Sequence, residues 1–284
     1  MRERISIPDA DVLDLDWSRC GARRLAILSH GLEGSSDRWY MRGMALALNR
    51  AGWDALAWNY RGCSGEPNRT LRFYHSGATD DLDIVIRHAL GSGKYDEISL
   101  IGFSLGGNIT LKYLGERGED IDSAVRRAVA FSVPCDLRSS AMRLARPANR
   151  IYMQRFLKTL RAKVRRKMEL MPGLLHDEGL DEISTFQEFD DRYTAPIHGF
   201  RDAEDYWSRC SSRRFMEGIT IPALLVNAAD DPFLAPECYP VAVARASRSL
   251  YLEIPSSGGH VGFLARGVKE RYWMERRALE FLSA

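Results

Sequence analysis

The sequence predicts an α/β protein built on a mostly parallel sheet with helices on its faces. Two observations carry that prediction. Short apolar runs bounded by Gly and Pro alternate with helix-length amphipathic segments through the first 134 residues, the rhythm of βαβ units. The rhythm then stops, and 135–220 shows several helical patterns without a convincing strand before strand and helix resume at 222. With 284 residues, 45% of them apolar, the chain is long enough for one sizeable core plus an insertion.

Taken in order, residues 1–20 read as a leading β-hairpin. The run at 25–29 is a buried strand ending at His30-Gly31, and a helix over about 39–51 is stopped by Gly52. A strand follows over 53–60, closed by Arg61-Gly62. Ser76 and Thr79 are candidate N-caps for the next helix. A strand at 97–102, a helix over 105–117 and a strand over 127–133 complete the first block. After the insertion come a strand at 222–227, a helix from about 236, a strand at 249–254 and a terminal helix over about 268–282. The expected organisation is a core of 1–134 with 221–284 and a helical cap of 135–220.

Composition excludes several classes of function. A net charge of +2, from 40 basic and 38 acidic side chains, lacks the basic excess of a nucleic-acid binder. Cys20, Cys63, Cys135, Cys210 and Cys238 are scattered, odd in number and without a CxxC pair. That pattern argues against a disulfide framework or a zinc site and for a reducing, cytoplasmic setting. The N-terminal residues carry no apolar stretch of the kind a signal peptide needs, and no segment approaches the ~20 apolar residues of a membrane span.

Gly102-Phe-Ser104-Leu-Gly106 is a G-x-S-x-G motif with an apolar strand running into it and a helix running out. That context makes Ser104 a candidate nucleophile on a sharp strand-to-helix turn. Residues two positions to either side must lack side chains, which Gly102 and Gly106 satisfy, and Gly107 allows close helix packing. The helix N-terminus would direct its dipole and free N–H groups at the reacting centre.

A nucleophilic serine needs a base and a group that orients the base, here in the chain order Ser, Asp, His. The turn after the 222–227 strand offers Asp230 and Asp231. Asp230 is the expected acid, with Asp231 before Pro232 read as a turn or capping residue and Asp136 as a third candidate. His260, in Ser257-Gly-Gly-His260, is the expected base, since of six histidines it alone follows both the serine and the acids. The expected oxyanion donors are the N–H groups of Leu105, next after the nucleophile, and Leu32, in the loop after the early strand. Loss of one such donor typically costs about 3 kcal/mol. His30 is expected to hold that loop. No cofactor and no metal is required by this chemistry.

These segments resemble the YheT-like branch of the α/β-hydrolases. The resemblance is carried by Ser29-His-Gly-Leu-Glu-Gly34, Asn59-Tyr-Arg-Gly-Cys-Ser-Gly-Glu-Pro-Asn-Arg69, Phe73-Tyr-His-Ser-Gly77 and Gly102-Phe-Ser-Leu-Gly-Gly-Asn108. Phe189-Asp-Asp191, His198-Gly-Phe200, Asn227-Ala-Ala-Asp-Asp-Pro-Phe233 and Gly258-Gly-His-Val-Gly-Phe263 extend it over about 25–265, and it weakens within 138–185. The branch is similar to eukaryotic ABHD-type lipases and yeast medium-chain ester synthases. The resemblance implies ester hydrolysis on short- to medium-chain acyl esters, or acyl transfer to an alcohol, with Ser104, Asp230 and His260 as the triad.

Two features are weaker signals. His75 and Asp80 form an H-x-x-x-x-D pattern that has been linked to acyl transfer in related ABHD proteins, but the expected reading is a loop histidine and a helix-start carboxylate interacting with the helix dipole. Six basic residues lie between Lys158 and Lys167, which reads as a solvated helix face, with contact to a membrane surface or an anionic substrate as the alternative. The expected partner is therefore a small ester or lipid-like molecule and not a nucleic acid. A catalytically silent scaffold of the same fold is the remaining alternative.

Overall fold

The computed structural model describes residues 1–263 and 272–284. Before the insertion lie β1 (Arg2–Ser6), β2 (Val12–Ser18), β3 (Arg24–Ser29), β4 (Asp54–Asn59), β5 (Glu97–Phe103) and β6 (Val125–Phe131). After it lie β7 (Ala223–Val226) and β8 (Leu250–Glu253). They form one sheet in the order β1-β2-β4-β3-β5-β6-β7-β8. The β1–β2 and β2–β4 pairs are antiparallel, and every other pair is parallel.

Strands of such a sheet are covered on both faces, which is why their sequences read as unbroken apolar runs. In β3, Leu25 and Ile27 join the core on one face while Ala26 and Leu28 join the core on the other. The first face is covered by α2 (Thr79–Gly91) and α3 (Leu105–Arg117), and the second by α1 (Trp39–Arg50) and α10 (Trp273–Leu282). The start of the terminal helix expected near 268 lies outside the described residues. The expected caps of α2 do not form. Its N-cap position is Ala78, the Ser76 N–H is held by the Tyr206 hydroxyl, and the Thr79 hydroxyl donates to Glu116.

Every described element between β6 and β7 is helical: α4 (Leu137–Leu144), α5 (Arg150–Leu170), α6 (Phe186–Phe189), a π-helical turn (Asp190–Thr194), α7 (Ala195–His198), α8 (Ala203–Cys210) and short 3₁₀ turns. These helices make their own apolar cluster, in which Met153, Leu157 and Val164 of α5 meet Phe189, Tyr193 and Phe233. The basic run in α5 is a solvated face only in part: Lys158, Arg165 and Arg166 are exposed, while Lys163 and Lys167 turn inward. Lys163 pairs with Glu33, and the buried Lys167 ammonium donates to Asn68 and Thr70. Arg161 donates to the Leu180 and Ile183 carbonyls, and Arg165 and Arg166 pair with Asp181 and Glu169. These cations strap the insertion to the core and to itself. Among the described residues, no helix is long and apolar enough to cross a membrane. The remaining helix, α9 (Val241–Ala246), packs beside β8.

Candidate active site

Ser104 occupies the turn from β5 into α3 with φ 54° and ψ −119°. A non-glycine residue at positive φ stores on the order of 1–3 kcal/mol and persists only where the surroundings impose it. They do so here. The Ser104 N–H donates to the Phe131 carbonyl at 2.8 Å, and its carbonyl accepts the Asn108 N–H at 3.1 Å. A Cβ on Gly102 would lie 2.5 Å from the Gly106 carbonyl oxygen, and one on Gly106 would run into the Ser29 backbone. The Asn108 side chain donates to the Ser76 and Cys210 carbonyls and accepts the Ser212 N–H, fixing α3 against the insertion.

The His260 Nε2 atom lies 2.9 Å from Ser104 Oγ. Its Nδ1 atom lies 2.9 Å from Asp231 Oδ2 and 3.1 Å from Asp231 Oδ1. The carboxylate on the imidazole is thus Asp231, a correction to the Asp230 expected from the sequence. The two neighbours face opposite ways out of the turn. The Asp231 side chain is fully buried, and its Oδ1 also accepts the Phe233 N–H at 3.0 Å. Asp230 is exposed, and its Oδ1 accepts the N–H groups of Gly258 and Gly259, supporting the loop that carries His260. Asp136 caps α4 through the Ser139 N–H. The Val261 N–H donates to Ser132 Oγ, and the Phe233 ring lies 4.3 Å from the imidazole, so His260 is held from both sides.

The loop after β3 faces the serine from the other side. A Cβ on Gly31 would lie 3.3 Å from Ser104 Cβ, a tight contact that glycine avoids. His30 is completely buried, and burial pushes its pKa down to about 3. Its Nε2 accepts the Tyr60 N–H, which makes Nδ1 the protonated atom that donates to the Gly31 carbonyl. Among the described residues, no protein acceptor takes the N–H of Leu32 or Leu105, and both residues line the cavity at Ser104.

Sequence reasoning missed what holds Leu32. Glu33, at φ 53°, accepts the Tyr74 hydroxyl at 2.6 Å and the Lys163 ammonium at 2.8 Å. The Glu33 N–H donates to the Tyr74 hydroxyl, and Arg38 donates to the Glu33 carbonyl. Lys163 also lies 3.0 Å from Cys63 Sγ, and the neighbouring thiol and carboxylate hold its pKa up against burial. No local pattern links residues 33, 74 and 163, so no sequence signal could have found the tether.

Ser104 and His260 open onto a cavity with about 1050 Å³ of empty space, part of it continuous with solvent. Leu137, Ala141 and Leu144 of α4, Phe156 and Leu160 of α5, and Phe233 give it an apolar wall. His75 lies on the same cavity, but no described hydrogen bond joins it to Asp80, whose carboxylate pairs with Arg72 at 2.5 Å.

A sharply turned serine on a parallel sheet, backed by a histidine and a buried aspartate, defines a class. Residues 27–266 match the alpha/beta hydrolase fold family, and the chain belongs to it. It is 35% identical over 289 residues to the esterase-named YheT protein of Escherichia coli (strain K12), covering 99% of this chain and 84% of that protein. It is 29% identical to the mouse phospholipase ABHD3, covering 99% of this chain and 71% of that one. The structure of the Pyrococcus furiosus esterase PF2001 superposes with a TM-score of 0.68 at 18% identity, covering 100% of this chain and 89% of that one. The protein is a hydrolase of the YheT/ABHD type.

Proposed function

We propose that the protein is a serine carboxylesterase that cleaves short- to medium-chain acyl esters through Ser104, His260 and Asp231. The observation that carries this reading is the unbroken line of hydrogen bonds from Asp231 through His260 to Ser104, at the wall of an apolar cavity. His260 Nε2 takes the Ser104 proton as Oγ attacks the ester carbonyl. Asp231 keeps the Nδ1–H tautomer in place and stabilises the imidazolium. The free N–H groups of Leu32 and Leu105 receive the oxyanion. The imidazolium then protonates the leaving alcohol. A water deprotonated by His260 attacks the acyl-enzyme, and free acid and Ser104 are regenerated. In this reading residues 135–220 cap the serine and size the acyl pocket, and the dispersed cysteines fit a cytoplasmic setting.

The test is hydrolysis of p-nitrophenyl esters of increasing acyl length by the wild type and by Ser104→Ala. The expected result is activity that peaks at short to medium chains and disappears in the variant. A folded wild type without activity, or a variant that keeps it, overturns the reading.

A further inference from the structure

We infer that the cavity holds a second, polar subsite, formed by His75, Asp190 and His198, which binds a free hydroxyl group of the substrate. The inference rests on Ser104 being the nucleophile of the same cavity. Its basis is a contrast within that cavity, because the apolar wall from α4 and α5 gives way here to three titratable side chains on the 73–76 loop, the π-helical turn and α7. A π-helical turn sets side chains at positions that a regular α-helix cannot, and such turns recur at functional sites.

Each of the three groups keeps hydrogen-bonding capacity that the protein does not use. His75 Nδ1 accepts the Gly77 N–H at 3.1 Å, so the ring proton sits on Nε2, for which no protein acceptor exists among the described residues. His198 packs against His75 with ring centroids 4.5 Å apart, and its buried Nε2 has no partner among the described residues. Asp190 accepts the Trp207 indole N–H at 2.8 Å and the Thr194 hydroxyl at 2.6 Å, one on each carboxyl oxygen. Protonated or ionised, the carboxyl keeps acceptor capacity beyond these two bonds.

The chemistry of the occupant follows from the charge of these groups. Burial holds both imidazoles in the neutral form. A site that offers the His75 N–H together with acceptor positions on Asp190 complements a group that both donates and accepts. A hydroxyl does this, and an alkyl chain leaves buried polar atoms unpaired, which costs more than the missing bond itself. The hydroxyl has two sources, the alcohol part of the ester or the acyl chain.

Two matched pairs of esters separate these sources: 1-butanoylglycerol against propyl butanoate, and ethyl 3-hydroxybutanoate against ethyl butanoate. The expected result is a kcat/KM at least about thirtyfold higher for the hydroxylated member of one pair, which identifies the source. In folded His198→Phe and Asp190→Asn variants, that ratio is expected to fall to within about threefold of unity. A wild-type ratio near unity in both pairs overturns the subsite, and so does a ratio that survives both substitutions. If a variant does not fold, the wild-type ratios still decide. Esterase activity on p-nitrophenyl butyrate that is lost in Ser104→Ala, alongside ratios near unity, would sink the subsite alone. Activity that persists in Ser104→Ala would sink the nucleophile assignment instead.

Discussion

Replacing Asp231 by Asn tests the assignment of the acid, and the structure dictates how the amide will sit. The Phe233 N–H donates to Asp231 Oδ1 at 3.0 Å, so the carbonyl oxygen of an Asn there stays on that donor. The amide NH2 then takes the place of Oδ2, which lies 2.9 Å from His260 Nδ1. Two donors cannot face each other, so the imidazole proton moves to Nε2, where it points at Ser104 and blocks proton uptake. The same tautomer inversion in a Ser-His-Asp protease lowers kcat by about 10⁴, or roughly 5 kcal/mol of transition-state stabilisation. Asp230→Asn keeps a carbonyl oxygen for the Gly258 and Gly259 N–H groups, which are open to solvent, and should cost less than about 1.5 kcal/mol, or tenfold. The assay is p-nitrophenyl butyrate hydrolysis with both variants, alongside labelling of Ser104 by a fluorophosphonate probe. A collapse in Asp230→Asn with Asp231→Asn within tenfold of wild type would refute the reasoning.

Three further outcomes are expected. Ser104→Gly should raise the thermal midpoint relative to Ser104→Ala, by about 1 kcal/mol in stability, because glycine alone relaxes the positive φ; an equal or lower midpoint argues that the turn is unstrained. Lys163→Met should cost about 3 kcal/mol of stability by leaving Glu33 without its cation, and should lower kcat more than it raises KM as the Leu32 donor loosens. Equal kcat for both forms in steady-state kinetics would separate the tether from the reaction. The third concerns Asp190, whose carboxyl burial pushes up to about 7. Between about pH 4 and 7 the folded state keeps that proton and the unfolded state releases it, so this group makes stability fall as pH rises through the window, by at most about 4 kcal/mol. Asp190→Asn should remove that slope from thermal midpoints recorded against pH, and an unchanged slope would place the titration elsewhere.

Much of the fold was legible because parallel strands are covered on both faces. The apolar runs at 25–29 and 97–102 had no other stable use, and the glycines around Ser104 follow from a turn too crowded for any Cβ. The helical character of 135–220 was legible from its periodicity. The role of its cations was not, since a charged run looks the same whether it meets water or the partners found for Lys163 and Lys167.

The order of serine, acid and histidine along the chain, and with it the class of the site, follows from local patterns: a strand, a turn, a helix, and a histidine among glycines. The choice between Asp230 and Asp231 does not. Successive residues in a turn point in different directions, and a single step in the chain separates a buried carboxylate on the imidazole from an exposed one that braces the loop. The tether at Leu32 and the meeting of His75 with Asp190 and His198 are likewise tertiary. Their members come from segments far apart in the chain, and only the packing of the insertion over the sheet sets them on one cavity.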